Sequence, residues 1–438
     1  MKIKSIFFLL SVLPILSHSQ EDLLSSGPML GYNTMKEVQI WVQTTKPANV
    51  EIQYWRSDRP DSILSSDPYQ TTKEEVYTAH LDLATEPGMN YDYRLLINDE
   101  EISRPYPMNF TTQKIWKWRG DAPDFDFAIG SCMYMNEPIY DRPGKPYGGS
   151  LDILGSITED DPDFMVWLGD NIYLREADWN SRTGIMHRYT HMRAAAEIQP
   201  LLAKTHHYAI WDDHDYGPND SNRSYWGKRI TEEAFRLFWS NPNYDLTGEG
   251  GITGTFIWAD CQFFLLDSRY HRTSPDIEDR HVLGAAQKQW LFDALLYSKA
   301  KFKFICIGPQ FLNDDAVHDN HAEFPEERQE IINFIDRHNI EGVIFLTGDR
   351  HYSEISRLTT DDGDVLYDVT CSSLTAGSVD GSNKPNKYRI EGTQINPHNY
   401  AIISVNGTYW ERQVSVSFRD AEGKEFFAPV ILDFESKD

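Results

Sequence analysis

The sequence predicts an all-β domain followed by a larger α/β domain. Three observations carry that prediction. Apolar residues alternate with polar ones through residues 20–120, in runs separated by Pro, Gly and Asn clusters. From about residue 121 the pattern changes to short unbroken apolar runs between helix-period segments, as buried parallel strands require. A chain of 438 residues with 40% hydrophobic content has enough material for two cores.

The elements follow in chain order. Residues 1–19 read as a signal peptide: Lys2 and Lys4 precede the apolar core 6–16, and Ser17 and Ser19 suit cleavage before Gln20. That core is too short to span a bilayer, and no cysteine stands near the cleavage point to take a lipid. The mature protein is expected to be soluble and either periplasmic or secreted. Within 20–120, "EVQIWVQTT" puts Val38, Ile40 and Val42 on one face, and "NVEIQYW" does the same with Val50, Ile52 and Tyr54. "YDYRLLI" continues with Tyr91, Tyr93, Leu95 and Ile97. "EPGMNYDYRL" resembles the turn and tyrosine that close a fibronectin type III-like β-sandwich. No catalytic constellation appears there, so a packing or binding module is expected.

In 121–438 the strand candidates are "DFAIG", "FMVWLG", "YAIW", "QFFLLD", "FKFICIG" and "VIFLTG". Helices are expected at 151–159, 231–239, 286–298 and 326–338, the last presenting Ile331, Ile332, Phe334 and Ile335 on one face. "AIISV", "VSVSF" and "FAPVILDF" return to β near the end.

Composition narrows the function. With 41 Lys plus Arg against 67 Asp plus Glu, the net charge is −26. That balance argues against a nucleic-acid backbone or an anionic membrane as main partner and is compatible with cations. Four cysteines in so long a chain make no disulfide framework. Cys261 and Cys306 sit inside apolar runs as buried small hydrophobes, and Cys371 follows another strand-like run.

Unusual side chains gather where the apolar runs stop. "DFAIGSC" ends at Cys132, "FMVWLGDNIY" at Asp170 and Tyr173, and "FFLLDSR" at Asp267 and Arg269. "FICIGPQ" ends at Gln310 and "VIFLTGDRHYSE" at Asp349 and His351. "AIWDDHDYGPND" crowds Asp212, Asp213, Asp215 and Asp220 around His214, and a bound cation would relieve their repulsion. In an open α/β sheet, ligands bind beyond the carboxyl ends of the strands. Asp349 and His351, two residues apart on an extended backbone, would point the same way. Oxygen and thiolate donors with one imidazole do not suit structural zinc. A phenolate with carboxylates suits Fe3+, and several carboxylates suit Ca2+ or another hard dication. The aspartates flanking His214 are expected to raise its pKa, making it a protonated group for a developing anionic oxygen or a leaving group. His187, His191, His206 and His207 read as structural or rim residues.

The ordered motifs "GSC", "GDNIY", "DDHD" and "GDRHYSE" resemble those of the alkaline phosphatase D (PhoD-like) family of calcineurin-like metallophosphoesterases. The resemblance implies an αββα metallophosphatase sandwich after the small β-sandwich, and a phosphoesterase activity on small-molecule or polymer-linked phosphate esters. It implies Fe3+ held by Cys132, Asp170, Tyr173 and His351, with Asp170 bridging to Ca2+ that Asp213 and Asp349 also hold. His214 would face substrate, Arg269 would meet phosphate oxygens, and Gln310 would be a further ligand or substrate contact. Asp213 is preferred to Asp212 because it adjoins His214, the arrangement in related enzymes. The export signal departs from the twin-arginine type common in the family, which implies metal uptake outside the cytoplasm. Two rival readings are a non-catalytic extracellular binding protein on a decayed scaffold and a hydrolase of another ester such as a sulfate.

Overall fold

Alternation decides the first domain. The computed structural model describes residues 23–316 and 319–435, so the expected signal peptide lies outside the described residues. The strands are β1 (Leu24–Asn33), β2 (Glu37–Thr44), β3 (Asn49–Arg56), β4 (Leu64–Ser65), β5 (Tyr69–Gln70), β6 (Thr78–Ala84), β7 (Asn90–Ile97), β8 (Glu100–Ile102) and β9 (Asn109–Thr111). β1, β2 and β6 form one antiparallel sheet; β3 and β7 centre the other, with β4 and β5 on β3 and β8 and β9 on β7. All ten inward residues picked out by the alternation are buried in one core between the sheets. The expected corner is present, with the Glu86 backbone N–H donating to the Tyr91 hydroxyl at 2.8 Å.

β2 is also buried on part of its second face, at Trp41 and Gln43, and that face explains how the domains join. Trp41 points away from the sandwich core, is fully buried, and donates its indole N–H to the Leu237 carbonyl at 2.8 Å. Along the same seam one His206 ring nitrogen lies 3.0 Å from the Asn33 amide and the other 2.8 Å from the Gly31 carbonyl. His206 is a satisfied structural residue.

The second domain runs β10 (Phe125–Gly130), α1 (Asp152–Asp160), β11 (Phe164–Leu168), α2 (Arg182–Arg193), α3 (Gln199–Lys204), β12 (His206–Ile210), α4 (Asp213–Tyr216) and α5 (Lys228–Phe238). It continues with β13 (Gly254–Trp258), β14 (Cys261–Leu265), α6 (Gly284–Tyr297), β15 (Phe302–Cys306), α7 (Pro325–Arg337) and β16 (Val343–Thr347). β17 (Glu354–Thr359), β18 (Val365–Thr370), β19 (Tyr400–Asn406), β20 (Gln413–Arg419) and β21 (Val430–Ile431) complete it. Two six-stranded sheets result, ordered β12-β11-β10-β19-β20-β21 and β13-β14-β15-β16-β18-β17. β10, β11 and β12 are parallel in the first, as are β14, β15, β16 and β18 in the second.

The sheets stack face to face through aromatic rings. Phe127 and Phe164 lie 4.9 Å apart, Phe263 and Phe304 4.7 Å, and Phe127 meets Phe304 edge-on at 5.2 Å. In β15, Phe304 and Cys306 face this inter-sheet core while Ile305 faces the α6 and α7 residues Leu291 and Ile331. Both faces are therefore covered, which is why these strands read as unbroken apolar runs. α1, α2, α3 and α5 contribute Leu154, Tyr189, Leu201 and Phe235 to the first core, giving the helix–sheet–sheet–helix order. The four expected helices are present within a few residues of their bounds. α2 was not legible because His187, Arg188, His191 and Arg193 break up its apolar stripe of Ile185, Met186, Tyr189 and Met192. All four cysteines are free and buried, and no helix among the described residues is long and apolar enough to cross a membrane.

Candidate metal centre

Seven parallel strands, three from the first sheet and four from the second, lead into loops that converge on one site. The Met133 N–H donates to the Asp170 carbonyl at 2.8 Å, and the Gly348 N–H to the Gly308 carbonyl at 2.8 Å. Cys132, Asp170, Asp349 and His351 have φ of 57°, 51°, 65° and 58°. This left-handed backbone costs a non-glycine residue about 1–2 kcal/mol, and such outliers gather at functional sites. It also corrects one expectation: Asp349 and His351 follow β16 in left-handed rather than extended conformation, so alternation does not set where they point.

Among the described residues, three overlapping groups bring possible ligand atoms within 4.8 Å of one another: Cys132, Asp170 and His351; Asp170, Asp213 and His214; Asp213, Asp220 and Asp319. Asp170 belongs to two of them. Its Oδ2 accepts from the Tyr173 hydroxyl at 3.1 Å and stands 3.5 Å from the Cys132 sulfur, while Oδ1 accepts from the His214 backbone N–H at 3.2 Å. The Tyr173 hydroxyl is also 3.2 Å from His351 Nε2. His351 Nδ1 lies 2.5 Å from the Gly377 carbonyl, so it carries the hydrogen and leaves the Nε2 lone pair facing the cluster. Asp349 is in none of the three groups, although its charge acts on the Cys132 thiol and the Asp212 and Asp213 charges act on it.

The protonation pattern follows from burial and crowding. Burial, then Asp349, pushes the Cys132 thiol up to about 12. Burial, then Asp212, pushes Asp349 up to about 8. Burial with the Cys132 and Asp213 charges takes Asp170 well above the carboxylate range, and burial with Asp170 does the same to Tyr173 above the phenol range. Burial also works to raise Asp213, but His214, Arg269 and the Asp220 N–H outweigh it and hold this carboxylate low. Buried acids that resist ionisation side by side are what a binding site for cations presents before it is filled. Asp213 Oδ1 and Asp212 Oδ2 are buried without a hydrogen-bond partner. The donor set of thiol, phenol, imidazole and carboxylates and these orphaned oxygens fit bound metal.

His214 departs from its expected state. Burial lowers its pKa and the adjacent Asp213 does not make up the loss, so the ring is neutral near pH 7. The imidazole packs against the Tyr173 ring with centroids 4.2 Å apart and the planes tilted by 32°.

The aspartates of residues 212–220 divide the work. Asp212 is bound by Arg269 Nε at 2.5 Å and the Ser268 hydroxyl at 3.0 Å. Asp215 joins two loops, its Oδ1 accepting from the Asn171 N–H at 3.0 Å and its Oδ2 from the Asp212 N–H at 3.0 Å. Asp213 and Asp220 are left for the ligand groups. Arg269 is fully buried, and its Nη1 pairs with Asp319 at 2.5 Å. Gln310 donates to Glu354 at 2.7 Å and to Thr370 at 3.0 Å and accepts from Asn313 at 3.1 Å, so its amide is satisfied inside the scaffold. Asp319 escaped sequence reasoning because it stands nine residues past Gln310 in an irregular segment. Ser372, whose hydroxyl lies 3.2 Å from the Cys132 sulfur, follows β18, whose end carried no charged signal.

Known proteins share the family and the fold. Residues 127–410 match the family model described as PhoD-like phosphatase, and residues 21–115 match a domain of unknown function, DUF7800. Alkaline phosphatase D of Bacillus subtilis (strain 168) is 22% identical over 325 residues, covering 64% of this chain and 55% of the relative. The match thus spans about half the length of that curated relative. A solved structure of PhoD, 18% identical, gives a TM-score of 0.77 over 95% of this chain and 91% of its own. The purple acid phosphatase PPD1 from yellow lupin (Lupinus luteus) seeds, 13% identical, gives 0.68 over 92% of this chain and 73% of its own.

Proposed function

This chain belongs to the PhoD-like phosphatase family, and on that premise we propose that it is an exported, metal-dependent phosphoesterase. The observation that carries the reading is the set of overlapping ligand groups sharing Asp170 and Asp213 beyond the strand ends. Cys132, Asp170, Tyr173 and His351 would hold the first cation, and their thiolate, phenolate and imidazole donors suit Fe3+. Asp170, Asp213 and Asp349 would hold the second, and an all-carboxylate set suits Ca2+. When bound, the pair would supply Lewis acidity and an activated water for attack on phosphorus.

The chain's own residues supply the rest. The neutral His214 ring stands beside Asp170 and Asp213 and offers an N–H to the oxygen leaving phosphorus, so that the departing alcohol is stabilised as the P–O bond breaks. Arg269, tied to Asp212 and Asp319, offsets carboxylate charge and fixes the loops, and its one guanidinium nitrogen without a protein partner is available to a phosphate oxygen. Mono- and diesters are both within the proposed scope. The basic–apolar start of the chain (Lys2, Lys4, residues 6–16) supports delivery to the periplasm or medium.

The test is a panel of phosphate monoesters, phosphate diesters and sulfate esters, each with and without exhaustive chelation. Phosphate-ester hydrolysis that chelation abolishes and metal restores is expected. Turnover that survives chelation, or that is confined to sulfates, would overturn the reading.

A further inference from the structure

Residues 131–151 join β10 to α1 and bring Cys132 and Tyr147 to the ligand cluster, and Tyr147 is held there without a use in the proposed reaction. Tyr147 is 47% exposed, yet its ring is fixed. It packs edge-on against Tyr134 with centroids 4.8 Å apart. It also lies against Gly377 so closely that a Cβ there would stand 2.8 Å from Tyr147 Cε2. The backbone beside it is pinned as well. Asn136 donates to the Gly148 carbonyl at 2.8 Å and accepts from the Gly148 N–H at 3.0 Å, and the Gly149 N–H donates to the Thr375 carbonyl at 2.6 Å.

The Tyr147 hydroxyl lies 3.3 Å from His351 Nδ1. That nitrogen gives its hydrogen to the Gly377 carbonyl at 2.5 Å and has no lone pair in the ring plane left to accept one. The hydroxyl makes no other hydrogen bond among the described residues. A rigidly presented O–H donor without a protein acceptor therefore stands beside His351, a member of the group formed by Cys132, Asp170 and His351. Maintaining such a donor is productive when the acceptor arrives with the ligand.

We propose that Tyr147 is a substrate-contacting residue whose hydroxyl donates to a non-bridging phosphoryl oxygen. The inference rests on the phosphoesterase reading above. Because the donor is neutral and adds no charge beside the metal sites, it serves monoester and diester phosphoryl groups alike. Its partner is the phosphoryl group itself, not the alcohol it is joined to.

The test compares the metal-loaded wild type with Tyr147→Phe, which keeps the ring and its packing. Binding of inorganic phosphate is measured by titration calorimetry and by competitive inhibition, alongside kcat/KM for one monoester and one diester. A lost hydrogen bond to a charged acceptor should weaken phosphate binding roughly tenfold or more and lower kcat/KM for both esters by a similar factor. Metal content and Tm should match the wild type. Unchanged phosphate affinity would overturn the proposal. So would a loss of activity that tracks a loss of metal, because Tyr147 would then act by positioning His351. A wild-type chain without phosphatase activity would defeat the phosphoesterase reading instead, and the calorimetric comparison would still decide the Tyr147 contact.

Discussion

At the scale of single residues, Asp170 and Cys132 look equivalent in the sequence, since each follows a buried strand. Their surroundings separate them. Cys132 enters one ligand group and Asp170 enters two, one carboxylate oxygen near Cys132 and Tyr173 and the other toward His214. Cys132→Ser should therefore remove one metal equivalent, because a serine hydroxyl is a poor substitute for a thiolate. Asp170→Asn should remove two. Both variants should fold, since the serine hydroxyl retains the size to meet Ser372 and the asparagine retains an acceptor for the His214 N–H. Elemental analysis of the purified proteins decides the matter, and an equal loss in both would remove Asp170 from the bridging position. His214 shows what residue-level reading misses. Its flanking aspartates are adjacent in sequence and argue for a protonated ring, but the burial that lowers its pKa comes from segments far away along the chain, His351 among its neighbours.

At the scale of elements, the strands and the residues that leave them were legible because periodicity and apolar runs are local properties. The paths of the connecting segments were not, since tertiary contacts set them. Asp220, Asp319 and Tyr147 all reach the site from irregular stretches, and nothing in "YDRPGKPYGG" fixes where Tyr147 lands without Gly377 and Asn136 beside it. Strand ends also bring backbones into contact, which the sequence marks only as glycine. A Cβ on Gly308, just after β15, would lie 2.4 Å from Asp212 Cγ. Asp212 would have to move, and with it the Arg269 pair and the start of α4. Gly308→Ala should consequently lower metal content and activity on the order of tenfold or more, while secondary structure by circular dichroism stays unchanged. Gly155, in α1, meets nothing within 4 Å of its would-be Cβ, so Gly155→Ala should be neutral or stabilising by up to about 1 kcal/mol. If Gly308→Ala behaved like Gly155→Ala, the close packing of the β15 and β12 loops would not matter to the site.

For the whole molecule, the cluster makes stability depend on pH in opposite senses with and without metal. In the metal-free chain burial holds Asp349 up to about 8 and Asp212 up to about 6, whereas an unfolded carboxyl titrates near 4. Between those values the folded chain keeps protons that the unfolded chain releases, so stability is fully present below about pH 4 from these groups and is lost as pH rises toward 8. Metal binding demands the deprotonated ligands, so its contribution grows over the same range. The gap in Tm between metal-loaded and metal-free protein should therefore widen steadily from pH 5 to pH 8. The net charge of −26 would also destabilise the metal-free fold as pH rises, through general repulsion, so a slope alone does not locate the effect. Asp349→Asn separates the two causes. It removes one local titration while changing the total charge by a single unit, and it should flatten the metal-free slope between pH 6 and 8 far more than neutralising an exposed carboxylate such as Glu100 does. Equal slopes in the two variants would mean that the stability of this molecule answers to its overall charge and not to the crest where its parallel strands end.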